Sequence, residues 1–80
     1  MFKTKEEIKD WLKEHNIRNY IINEDFTVDV DGGVYLSNEK LNNISVKFGV
    51  IKGDFDCSFN QLTNLKHAPK KIKRNFFCNG

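Results

Sequence analysis

The sequence predicts an α+β fold in which an N-terminal amphipathic helix and a β-hairpin cap a minimal β-solenoid. Three observations carry this. The chain repeats itself at a constant offset of 21 residues from Val30 onward. Its second copy, Ile51 to Lys71, fits the leucine-rich-repeat template L-x-L-x-x-N-x-L-x-x-L through Phe55, Cys57, Asn60, Leu62 and Leu65. The first sixteen residues instead carry apolar side chains at helical spacing.

The offset sets Val30 on Ile51, Gly32 on Gly53, Val34 on Phe55, Leu36 on Cys57, Leu41 on Leu62 and Ile44 on Leu65. The next step sets Ile51 on Ile72, Phe55 on Phe76 and Cys57 on Cys78, again without a gap. A fixed period in the range of about 20–29 residues is the mark of a leucine-rich solenoid. Alternate residues of a short strand point inward. Val34 and Leu36 should therefore stack on Phe55 and Cys57, and those on Phe76 and Cys78. Leu62 and Leu65 return the chain over the core. Asn60 should satisfy backbone groups in the turn, because buried amides need partners.

Gly53 to Pro69 reads GDFDCSFNQLTNLKHAP. It resembles the short leucine-rich-repeat proteins of tailed phages, whose repeats run G-D-F-x-C-S-x-N-Q-L-T-x-L-x-x-A-P. Through Ala68-Pro69 and Ile72 it is more distantly similar to the bacterial short-repeat effectors. The resemblance covers residues 30 to 80, and the first thirty residues look like the leader that such phage proteins carry. Glu39 stands where the first copy's turn Asn belongs, and the third copy reaches Gly80 one residue before its own. The resemblance implies an accessory role during infection. It implies a protein that occludes a host factor, including defence systems such as CRISPR effectors.

Eighty residues imply a single domain, 1–80, divided into a helix and strand cap over 1–29 and two and a partial repeats over 30–80. A chain this short buries only about 60% of its extended surface. Charged residues at 30% and hydrophobic residues at 39% fit a soluble globular class. No apolar run is long enough to span a bilayer, and the charged N-terminus lacks the apolar core of a secretory signal. The cytoplasm, of the host cell if the chain is phage-encoded, is the expected compartment. Charge is uneven. Residues 1–56 carry eight Lys/Arg and eleven Asp/Glu, net −3, whereas residues 57–80 carry five and none, net +5.

Within the cap, Thr4 and Glu7 form a capping box. Ile8, Trp11, Leu12 and His15 follow on one helical face, and Asn16 is the expected stop. Lys5, Lys9, Asp10 and Lys13 make the solvated face, whose mixed charge argues against membrane binding. Ile8, Trp11 and Leu12 should cover Val30, Val34 and Leu36, since an open repeat end needs a cap. Ile17 to Val30 alternates as a hairpin about the turn Asn23-Glu24-Asp25.

Candidate chemistry is sparse. Asp29 to Gly33 resembles a calcium loop only until Gly32 is set at position six, which leaves Thr27 and Asn38 where acidic ligands belong. A turn before the first repeat strand fits better. Cys57 and Cys78 are expected as reduced, inward-facing thiols. His15 and His67 have no metal-ligand spacing to go with them. No nucleophile motif, phosphate loop or zinc motif occurs. Asp54 and Asp56 read as ordinary acids on a solvated strand. The chain is therefore expected to be non-enzymatic and free of cofactors.

Binding is the remaining expectation. Outward positions form three rows across the copies: Gly33, Asp54, Asn75; Tyr35, Asp56, Phe77; and Ser37, Ser58, Asn79. They should line a concave face, the usual binding surface of solenoids. The protein-binding candidates are Tyr35, Asp54, Asp56, Phe76, Phe77 and Asn79. The apolar last strand predicts self-association, as a homodimer, or strand addition to another protein. Lys66, Lys70, Lys71, Lys73 and Arg74 form the alternative candidate, a nucleic-acid surface or a solvated face.

Overall fold

The computed structural model describes residues 2–79. One helix, α1 (Lys5–Glu14), precedes seven short strands: β1 (Tyr20–Ile22), β2 (Val28–Val30), β3 (Val34–Tyr35), β4 (Phe48–Ile51), β5 (Phe55–Asp56), β6 (Lys71–Ile72) and β7 (Phe76–Phe77). The architecture is α+β with two sheets. One is mixed, in the order β1-β2-β4-β6; the other is parallel, in the order β3-β5-β7.

The 21-residue offset is the pairing register. Val34 pairs with Phe55 and Phe55 with Phe76 in one sheet, while Val30 pairs with Ile51 and Ile51 with Ile72 in the other. Each copy adds one strand to each sheet. The exception is Val28 opposite Phe48, where the register shifts by one, so that β4 carries one extra residue before Ile51 faces Val30. Gly49 is buried, and a Cβ there would collide with the Asp29 carboxylate. That carboxylate's Oδ1 accepts from the Val50 amide at 2.8 Å. Gly53 recurs opposite Gly32 because the copies touch there: a Cβ on Gly53 would fall 2.7 Å from the Gly32 backbone.

The core lies between the sheets and under the helix. Val28, Val30, Phe48 and Ile51 meet Val34, Leu36, Phe55 and Cys57, and Ile8, Leu12 and Ile17 cover them. Phe48 reaches across to Phe55 edge-on at 5.3 Å between centroids, and Trp11 lies 6.4 Å from Phe48. The inward row is thus buried through two copies as expected. In the third copy it is not. Phe76 stacks 5.9 Å from Phe55 yet is 46% exposed, and Cys78 is also exposed. Leu65, expected over the core, is 45% exposed, whereas Ile44 one repeat earlier is buried. The difference is coverage. His67 of the next copy closes over Ile44, its Nδ1 lying 2.8 Å from the Ile44 carbonyl oxygen, and no described residue does the same for Leu65.

The helix is shorter than its periodicity suggested, because the capping box stops it at Thr4. The Glu7 amide donates to Thr4 Oγ1 at 3.2 Å, and Glu7 Oε1 accepts from the Lys3 and Thr4 amides at 2.8 and 3.0 Å. His15 caps the other end, followed by Asn16 at φ 58°. Of the expected strand Ile17–Val30, the ends pair as an antiparallel hairpin, Tyr20 opposite Val30. The turn between them is locked by Asp25, whose Oδ1 accepts from the Thr27 hydroxyl at 2.6 Å and its amide at 3.1 Å.

Those bonds set an acid response. The Lys3 amide, then Thr4, hold Glu7 below its ordinary 4.5, and the Thr27 hydroxyl, then its amide, hold Asp25 below 3.8. A carboxylate whose value is lower in the folded state stabilises the fold above its unfolded value and loses that contribution as pH falls through the folded one. Thermal melts should therefore be flat near neutrality and fall as pH drops through and below this range. Thr27→Val should flatten the part due to Asp25.

Candidate interaction surfaces

Asn60 explains how the copies are tied. Its Oδ1 accepts from the Glu39 and Leu41 amides, both at 3.0 Å. Its Nδ2 donates to the carbonyls of Leu36 at 2.7 Å and Cys57 at 3.1 Å. The turn Asn therefore serves the copy before its own. The first copy's turn position faces the helix rather than an earlier copy, and Glu39 stands there instead. Glu39 Oε1 lies 2.7 Å from Nδ1 of His15, which packs on Trp11 at 4.2 Å between ring centroids. The departure from the template is thus the contact between cap and repeat.

On the outer face of β3-β5-β7, the register sets Tyr35 beside Asp56 and Asp56 beside Phe77. Tyr35 is 63% exposed and Phe77 is 42% exposed, so the second row is an open aromatic-acid-aromatic stripe. The Tyr35 ring lies over Gly33, where a Cβ would come within 2.7 Å of it. Both acids are engaged. Asp54 Oδ1 accepts from the Asn75 amide and Asp56 Oδ1 from the Ser58 amide, each at 2.9 Å. Each keeps a second oxygen outside these bonds. The third row departs from expectation. Ser58 is buried, because its hydroxyl tucks under the last strand to accept from the Asn79 amide at 3.1 Å. Asn79 itself is exposed.

Phe59 is an anchor candidate absent from the sequence reading. It is 64% exposed and sits at φ 58°, a left-handed conformation that strains a bulky residue. The signal was present in the repeat: Phe59 occupies the place of Asn38, a residue type that tolerates this conformation and adopts it at φ 56°. Phe59, Leu65, Phe76 and Phe77 make four of the six exposed large hydrophobics among the described residues. All four belong to the second and third copies. Among the described residues, β7 is the last strand of its ladder. Phe55 and Cys57 amides donate to the Asn75 and Phe77 carbonyls. The same pattern advanced by one repeat turns the Phe76 and Cys78 amides to the sheet edge.

The basic candidates lie elsewhere. Lys71 is in β6 and Lys73 continues that ladder, its amide donating to Ile51 at 2.9 Å. The register brings Lys73 beside Lys52, which lies 4.0 Å from Asp31. Lys66, Lys70 and Arg74 are exposed nearby in sequence, so all five are open to solvent but spread along the other sheet and its return path. None of them lies in β3, β5 or β7, the strands that carry the Tyr35-Asp56-Phe77 stripe.

Among the described residues no three His, Cys, Asp or Glu side chains gather as a metal group. No helix there is long and apolar enough to cross a membrane. A scan of protein-family models, a search of curated proteins and a search of solved structures each returned no match to this chain.

Proposed function

We propose that this chain is a small non-enzymatic protein-binding module built as a leucine-rich-repeat-like β-solenoid. It presents the Tyr35-Asp56-Phe77 stripe and the last strand to a partner. The observation that carries this is the gathering of exposed apolar side chains, Phe59, Leu65, Phe76 and Phe77, in the second and third copies around β7, the outermost strand of its sheet among the described residues. Exposed aromatics beside polar groups are interface anchors, and an unpaired edge is a template for strand addition. Phe59 strengthens the reading, because a strained, exposed Phe costs the fold and does not help its core. The resemblance to phage repeat proteins supplies the biological setting: an accessory protein in the host cytoplasm that binds and inhibits a host factor, in the manner of an anti-defence or anti-CRISPR inhibitor. The same edge brings two copies together as a homodimer when no partner is present. Antiparallel pairing of two β7 strands about a two-fold axis would make such a contact self-complementary and closed at two copies.

The basic segment supports a second reading, a nucleic-acid-associated module. Five exposed cations in residues 57–80, with no acid among them, can meet phosphate groups without any base-specific contact. Nuclease separates the two. In a pull-down from host lysate, the protein-binding reading predicts a stoichiometric protein band that survives nuclease treatment and moderate salt. Recovery that vanishes with nuclease, or that is lost in the Lys70→Glu, Lys71→Glu double variant, would transfer the function to the basic segment.

A further inference from the structure

The inward row of Leu36, Cys57 and Cys78 ends in two thiols. Cys57 and Cys78 occupy one position in successive copies, and the Cys57 amide donates to the Phe77 carbonyl at 2.8 Å, which continues the parallel ladder past β5 and β7. Paired positions on neighbouring strands are about 4.8 Å apart, inside the Cα window of about 4.4–6.8 Å that a disulfide requires. Their sulfurs lie 2.9 Å apart as free thiols. One is buried and the other exposed. An open cleft of about 300 Å³, lined by Cys57, Leu62, Leu65 and Cys78, leads to the pair.

We propose that Cys57 and Cys78 form a reversible disulfide clasp, made by exchange with low-molecular-weight disulfides, that fastens the last strand to the core. Access orders the steps. The exposed Cys78 thiolate attacks one sulfur of the small disulfide, expels one thiolate and holds the other half as a mixed disulfide. Cys57 then gives its proton to solvent and attacks the Cys78 sulfur, which expels the second thiolate. Two cysteine thiols are oxidised to one disulfide, and one small disulfide is reduced to two thiols. Burial, and then the neighbouring Cys78, push the Cys57 thiol up to about 12. Cys57 is therefore the resolving group and not the one that meets the oxidant. The clasp closes the 21-residue repeat on itself, and it restrains the strand that carries Phe76 and Phe77. It stands independently of any partner, because it rests on the two sulfurs and their register alone.

The test equilibrates the reduced full chain with graded ratios of oxidised to reduced glutathione. Free thiols are counted by alkylation and products are read by intact mass. Both thiols should disappear together into an intramolecular disulfide of the monomer, and backbone exchange at Cys57 and Phe59, whose amides donate to the Phe77 and Asn79 carbonyls, should slow by on the order of tenfold or more. In Cys78→Ser, which retains Cys57 in its buried place, the remaining thiol should stay unmodified under the same conditions. A persistent glutathione adduct on Cys78, a disulfide-linked dimer, or two free thiols under fully oxidising conditions would each overturn the clasp.

Discussion

Phe55→Ala should leave the chain largely unfolded at 25 °C. Phe55 is fully buried and is the one side chain that touches both sheets' aromatic neighbours, Phe48 at 5.3 Å and Phe76 at 5.9 Å. Truncating a buried Phe costs about 3–5 kcal/mol. A domain of this size has about 4–12 kcal/mol in total, at about 0.05–0.15 kcal/mol per residue. Its small buried fraction sets it toward the lower end. Urea titration followed by Trp11 fluorescence reads the effect, with Trp11 close to the same aromatic cluster. Phe76→Ala is the comparison, and it should cost much less because Phe76 is 46% exposed. Equal costs would mean that the third copy is as well packed as the second.

Asn60→Leu should be nearly as damaging for a different reason. The substitution adds apolar volume but strips two amides, Glu39 and Leu41, and the Leu36 and Cys57 carbonyls of the side-chain partner that joins two copies. Each polar group left buried without a partner costs about 1–3 kcal/mol, and water can reach some of them at this half-buried turn. A net loss of about 3 kcal/mol is expected. Asn60→Asp should also destabilise, since a carboxylate would then face those carbonyls. By contrast, Glu39→Gln at the cap contact should cost under about 1 kcal/mol, because the Gln side chain keeps an oxygen within reach of the His15 ring nitrogen. Chemical denaturation of the three variants separates the copy-to-copy bond from the helix-to-copy one.

The repeat was legible because its period is its register. Val34, Phe55 and Phe76 align in sequence and pair in space, and a one-residue slip of any copy would turn its inward side chains outward. The capping box was equally local: Thr4 and Glu7 need only each other. What sequence did not reveal depends on what lies above each position. Ile44 and Leu65 have the same place in the template, yet only Ile44 has a described copy over it. Ser58 alternates as an outward residue, but it ends its strand and its hydroxyl is drawn under to the Asn79 amide. The second sheet is a partial case. Ile44, Val46 and Phe48 alternate with Ser45 and Lys47, a strand signal leading into β4 that the stronger leucine template overshadows. On the candidate surface, Tyr35 and Phe77 were legible as aromatics at outward positions. Phe59 was not, because its importance lies in a backbone angle.

Phe59 also provides the cleanest way to test the proposed function. Asn suits a left-handed backbone, so Phe59→Asn should keep or slightly raise stability while removing an anchor from the surface. Phe77→Asp removes a second anchor from an exposed position and leaves the buried core intact. The decisive measurement is recovery of the nuclease-resistant protein band by wild type, Phe59→Asn, Phe77→Asp and the Lys70→Glu, Lys71→Glu variant, each first shown to melt as a folded chain. A band held by wild type and by the lysine variant, and lost by at least tenfold in both aromatic variants, is the predicted result; each anchor need supply only about 1.4 kcal/mol for that. A band that both aromatic variants hold at wild-type strength, or one that only the lysine variant loses, would contradict it.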